Sequence, residues 1–195
     1  MIKCLVLGGG LYHGLKTLGI IDEATKQHLI DKEIVQHIVC SSVGCLVGFC
    51  YLLDIPYKDC VDFFIKRPWQ KIFTDLPIMN IILSKGVFNI TIFQKSLVNL
   101  FTANSMSIDI TYKEFFERTN KTFSCSVYNT KTQELEYFNH NTTPYLKVIH
   151  GMYASCSVPI VFEPLLYKDT FYTDALLLTA YPIAYALKTY DENEI

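Results

Sequence analysis

The chain has 195 residues, half of them hydrophobic and 18% charged, with a net charge of −2. This is one domain's length with ample apolar mass for a core, and the lack of any dense basic run excludes a nucleic-acid-binding surface. Seven cysteines, an odd count with no CxxC pair, read as small core residues of a reducing, cytoplasmic compartment rather than a disulfide framework or zinc site.

In chain order, Ile2 to Leu7 reads as a short buried strand. Gly8, Gly9 and Gly10 follow, and Gly14 opens a helical pattern carried by Leu15, Leu18, Ile21 and Ile30. Strand, glycine loop and helix make a βαβ opening. The loop fails the dinucleotide fingerprint, because the sixth residue from Gly8 is His13. It fails the phosphate loop too, because Leu15 intervenes before Lys16-Thr17. The remaining chemical reading is an oxyanion loop whose bare amides face a nucleophile.

That nucleophile is sought in the next element. Ile34 to Cys40 is β-branched and apolar, a buried strand, and a helical pattern begins near Cys45 and runs to Leu53. The corner between them is Cys40-Ser41-Ser42-Val43-Gly44. A serine on a tight strand-to-helix turn is the geometry of a nucleophile elbow, Gly-x-Ser-x-Gly, here with cysteine for the first glycine. The alternative is a small-residue turn with no chemistry. Ile34 to Leu53 approaches bilayer-spanning length, but Gln36, His37, two serines and two glycines interrupt it. A strand plus a central helix is the better reading.

Pro56 ends that helix. Asp59 to Ile65 and Trp69 to Leu83 read as short helices and turns dense in apolar side chains, either ordinary core or a cap that meets lipid. Lys85-Gly86 reads as a loop and Thr91 to Phe101 as a helix. A further helix over Thr111 to Arg118 is capped at Asp109 or Thr111. Phe123 to Tyr128 and Leu135 to Phe138 form a hairpin about a polar turn. Val148 to Ala154 is helical and runs into Ala154-Ser155-Cys156-Ser157-Val158-Pro159. Phe171 to Thr173 is the last strand, with Asp174 at its end.

These motifs together resemble the patatin-like phospholipase family, from Ile2 to about Leu187. The family opens with a strand, a Gly-Gly-Gly-x-Arg/Lys-Gly loop, a helix, a second strand and the serine elbow. Later it carries an Ala-Ser-x-Ala/Ser-x-Pro segment and an Asp-Gly-Gly/Ala run ending in proline. Here Gly9 and Gly10 match two loop glycines, Leu11 stands at the third, and His13 stands at the basic position. Asp174 and Pro182 match at the right spacing, with Ala175, Ala180 and Tyr181 at other motif positions.

The resemblance implies an α/β fold, a three-layer α/β/α sandwich around a central, mainly parallel sheet, with residues 1–190 as a single domain. It implies a serine lipid acyl hydrolase with a Ser42–Asp174 dyad and an oxyanion hole at Gly9, Gly10 and Leu11, with Cys40, Val43 and Gly44 shaping the elbow. A dyad also suits the five histidines, none of which follows Asp174. An aspartate serves as base near neutral pH only if burial raises its pKa. No cofactor or metal is implied. The expected partner is a lipid or phospholipid met transiently at a membrane surface. A rival reading, motivated by Leu11, Cys40, Ala175, Ala180 and Tyr181, is a catalytically weak or inactive member that binds lipid or a partner. Acyl transfer to an acceptor other than water is a third.

Overall fold

A computed structural model of the chain describes residues 1–10, 14–69 and 85–195. Leu11, His13 and the apolar segment beyond Trp69 therefore lie outside the described residues. The elements begin with β1 (Cys4–Leu7), α1 (Lys16–Lys26), β2 (His37–Cys40), α2 (Val43–Leu52) and α3 (Tyr57–Val61), which runs into a π-helical turn. After these come β3 (Gly86–Phe88), α4 (Ile90–Ala103), α5 (Tyr112–Thr119), β4 (Thr122–Asn129), β5 (Glu134–Phe138) and α6 (Val148–Cys156). Last are β6 (Ile160–Phe162), β7 (Leu165–Tyr167), β8 (Thr170–Asp174) and the short α7 (Ile183–Ala186).

The α/β class expected from the sequence is the class observed, with a sheet that is mixed rather than mainly parallel. β1, β2 and β4 are parallel neighbours, whereas β5 and β8 run antiparallel to β4, and β7 antiparallel to β8. Connection length accounts for the antiparallel pairs β4–β5 and β7–β8, whose linkers are too short for the crossover of a dozen residues or so that a parallel pair needs; β4 and β8 are far apart in sequence, and their sense has no such local cause. β7 and β8 are joined only by Lys168-Asp169, both at positive φ (47° and 58°), the backbone of a two-residue hairpin. The stretch suspected of bilayer length resolves into β2 and α2. Lys85-Gly86, read as a loop, instead leads into β3, because Gly86 pairs with Ile160 of β6 in a small second sheet.

Helices cover both faces of the main sheet. α2 and α6 pack against one, and α7 lies over β1 and β2 on the other. α2 is apolar on nearly every side and buried through most of its length, as a central helix must be. Its Phe49 is fully buried against Phe101, with ring centroids 4.4 Å apart, and against Phe115 at 5.7 Å. α5 starts where the sequence placed it: Thr111 accepts the Glu114 amide, and Glu114 reaches back to the Thr111 amide, a reciprocal cap.

One topological detail positions the site. Cys125 of β4 pairs with both Cys40 of β2 and Phe138 of β5, and Val127 pairs with both Asp174 of β8 and Glu136 of β5. β2 and β8 thus share one edge of β4, opposite β5. They run toward each other, and their carboxyl ends meet on either side of Ser126. The residues that follow β2 and end β8 are Ser41-Ser42 and Asp174.

Candidate active site

Ser42 occupies the corner between β2 and α2 with φ 52° and ψ −129°. A serine held at positive φ is uncommon, and such strain, worth about 1–3 kcal/mol, persists only where the surroundings over-determine it. Four hydrogen bonds do so. The Ser41 amide donates to the Leu7 carbonyl (2.9 Å), tying the corner to the end of β1. The Gly44 and Cys45 amides donate to the Ser41 and Ser42 carbonyls (2.9 and 2.8 Å), starting α2 at once. The Ser42 amide donates to Ser155 Oγ of α6 (2.9 Å). Gly44 is required by space: a Cβ there would lie 2.4 Å from the Leu7 carbonyl oxygen and 2.8 Å from that of Gly8.

Cys40, which replaces the first elbow glycine, fits because α2 makes room for it. A Cβ on Gly48, one turn into α2, would stand 2.7 Å from Cys40 Sγ. The missing side chain has moved from the strand to the helix. Gly48→Ala alone should destabilise the fold by about 1–3 kcal/mol through overpacking. In a Cys40→Ala background the same change should cost clearly less, because the nearest contact is gone and alanine is the better helix former, while Ile38 Cγ2 at 3.0 Å and Leu7 Cδ1 at 3.3 Å still have to give way. Thermal melts of the four combinations test this coupling, and equal costs of Gly48→Ala in both backgrounds would refute it.

Asp174 ends β8 fully buried. Its backbone amide donates to the Ser157 carbonyl (3.0 Å), and Oδ1 accepts the Leu176 amide (2.9 Å). Oδ2 is buried and makes no completed hydrogen bond among the described residues. Burial pushes the carboxyl up from the ordinary aspartate range to about 6, with the Ser42 hydroxyl and the Leu176 amide holding that rise back. Ser42 and Asp174, distant in sequence, are thus neighbours.

The glycine loop lies beside them, since a Cβ on Gly9 would fall 3.0 Å from Ser42 Cβ. Its expected use needs a correction. The Gly9 amide donates to the Ala180 carbonyl (2.8 Å), so it is not free to meet an oxyanion. Gly10, at φ 132°, and Val43, first residue of α2, carry amides with no acceptor among the described residues. Among the described residues no histidine is hydrogen-bonded to Ser42 or Asp174, and His28 lies just past the end of α1. His37 sits at the far end of β2 on Ser124, His140 stacks on Phe116, and His150 is influenced by Lys147 and Asp109. The cysteines are free thiols, six of the seven buried.

Two features escaped the sequence reading. Ser155 was visible only as part of a motif, with nothing to show where its hydroxyl pointed. The bond between Gly9 and Ala180 joins distant loops and has no local signature.

The fold and this corner define an α/β protein with a strained serine against a buried aspartate. The sequence model of the patatin-like phospholipase family matches residues 5–187, and the chain belongs to that family. It is 27% identical to "Probable lipid hydrolase 463L" of Invertebrate iridescent virus 6, over 98% of this chain and 65% of that protein. The crystal structure of VipD from Legionella pneumophila superimposes with a TM-score of 0.67 at 17% identity, covering 99% of this chain and 48% of that one. The chain thus spans about two thirds of the viral relative's length and about half of VipD's.

Proposed function

We propose that the chain is a serine lipid acyl hydrolase working through Ser42 and Asp174. The observation that carries this reading is the placement of a strained serine hydroxyl beside a buried aspartate whose pKa is raised to about 6. At neutral pH the carboxyl is mostly ionised yet more basic than a solvated aspartate, as a direct general base requires. Asp174 takes the proton from Ser42 Oγ as the oxygen attacks the ester carbonyl. The Gly10 and Val43 amides, helped by the start of α2, face the oxygen that becomes negative. The alcohol leaves with the proton from Asp174. Water then attacks the acyl-serine, giving up its proton to Asp174; as the bond between the acyl carbon and Ser42 Oγ breaks, Asp174 returns that proton to Oγ and the fatty acid departs.

A lipid substrate is supported by the family and by the residues following Asp174. Leu176, Leu178 and Tyr181 are roughly half exposed, an apolar margin next to the buried carboxyl. Such a margin favours an acyl chain over a polar ester and suits transient contact with a membrane surface.

A fluorophosphonate probe with intact-mass readout tests the nucleophile. Wild type should gain one adduct and Ser42→Ala none, although Ser41 remains next to it. A folded wild type that takes no label, or a Ser42→Ala variant that still does, would overturn the reading. The first outcome would favour a lipid-binding member without turnover. The Cys40 substitution gives that alternative no support, since Gly48 accommodates it.

A further inference from the structure

The segment Ala154-Ser155-Cys156-Ser157, at the end of α6, touches both halves of the site. Ser155 Oγ accepts the Ser42 amide (2.9 Å) and also the Cys45 thiol (3.2 Å). Two residues on, the Ser157 carbonyl accepts the Asp174 amide (3.0 Å). The segment is itself fixed. Ser157 Oγ donates to the Tyr153 carbonyl (2.7 Å), and the Tyr153 hydroxyl donates to the Glu163 carbonyl (2.6 Å). Ser155 and Ser157 are both fully buried, so water does not compete for these bonds.

We infer that Ser155 is a positioning residue for the Ser42 nucleophile, and that the Ser155–Ser157 segment is the template that sets the distance between Ser42 and Asp174. The inference rests on the reading of Ser42 and Asp174 as nucleophile and base. Its physical basis is a mismatch that needs correcting. β2 and β8 are never paired with each other: β4 is the one strand they share, and their other partners, β1 for β2 and β7 for β8, lie on opposite sides of the site. Slack between two separately registered strand ends would pass directly into the distance between hydroxyl and carboxylate. A bond to each end from one rigid three-residue segment removes that slack. The bond to Ser42 also holds the amide immediately before the strained φ, so it fixes the direction in which the hydroxyl projects. Misplacement of a reacting group by about 1 Å can cost on the order of 100-fold in rate.

Ser155→Ala deletes the acceptor with little change in volume. Three readouts are combined. Hydrogen exchange at the Ser42 amide, followed by NMR on the whole chain, reads the bond whether or not the protein turns over an ester. The fluorophosphonate labelling rate reads the nucleophile. Hydrolysis of a short-chain p-nitrophenyl ester separates kcat from KM. Ser96→Ala serves as a control, since Ser96 is also buried but its hydroxyl donates only within its own helix, to the Phe93 carbonyl (2.6 Å).

The expected result is loss of Ser42 amide protection, a labelling rate and kcat lowered roughly 10- to 100-fold, a KM within about twofold, and no such change in Ser96→Ala. Wild-type labelling and kcat in Ser155→Ala would overturn the positioning role alone. So would a Ser42 amide that exchanges freely in wild type. Absence of labelling in wild type would instead overturn the reading of the site.

Discussion

Asp174→Asn should cut ester turnover by roughly 10²- to 10⁴-fold, the range that a positioned general base contributes, and should at the same time make the protein more stable at neutral pH. The two effects have one cause. Burial raises the Asp174 carboxyl from 3.8 to about 6 in the folded chain. Unfolded, the group ionises near its ordinary value. Between those two values the folded state binds more protons than the unfolded one, so stability falls as pH rises through this window. Asparagine removes the term while its side-chain oxygen can still accept the Leu176 amide. The variant should therefore gain up to about 3 kcal/mol over wild type at pH 7, with the gain vanishing below about pH 4. In wild type, kcat/KM should climb with pH and level off above about 6, since only the ionised carboxyl accepts the serine proton. Paired melts at pH 4 and 7 with a pH–rate profile check both halves. A flat profile from pH 5 to 8, or an asparagine variant less stable than wild type at pH 7, would remove Asp174 from the role of base.

Gly44→Ala should be among the most damaging single-methyl additions in the chain. Its Cβ would come within 2.4 Å of the Leu7 carbonyl oxygen and 2.8 Å of that of Gly8. Both atoms are backbone, at the end of β1 and the start of the glycine loop, so no side chain can swing aside. Either α2 retreats from the sheet or the loop moves off Ser42. The expected cost is about 3 kcal/mol, the upper end for overpacking, or a melting temperature lower by roughly 6–12 °C for a chain of this size. Fluorophosphonate labelling should be lost even at temperatures where the variant is folded, because the elbow and the loop amides no longer share a frame. A variant melting within about 2 °C of wild type and labelling normally would show that the contact is slack.

Much of this site was legible in the sequence because its parts are local. A strand, a small-residue corner and an apolar helix specify an elbow around Ser42 from a dozen consecutive residues, whereas Asp174, a carboxylate at the end of a strand, stood out only through the resemblance to the family's motif. Most of the regular elements were legible too, from apolar periodicity and from a reciprocal cap such as Thr111 with Glu114. What was hidden depends on pairing between distant segments. β6 and β7 were missed because they are three residues each and separated by Glu163-Pro164, with β6 mostly exposed and β7 burying only Leu165 fully, so neither is long enough for alternation or burial to mark it. The mixed sense of the sheet follows from which edge of β4 receives β8, and no local pattern carries that choice. The commitment of the Gly9 amide to Ala180 was invisible for the same reason, as was the role of Gly48 in accepting Cys40.

The meeting of β2 and β8 on one edge of β4 has a consequence for biosynthesis. Ser42 emerges from the ribosome before its neighbours: Ser155, which holds its amide, lies 113 positions downstream, and Asp174 lies beyond that. At ordinary translation speeds the serine waits on the order of ten seconds for its neighbours. β8 docks on the edge of β4 beside β2, so the corner is completed only once the chain as far as Asp174 has emerged. A nascent or truncated chain that stops short of β8 carries the serine without the buried carboxylate, and on the reading proposed above any reactivity of Ser42 would report that β8 has docked.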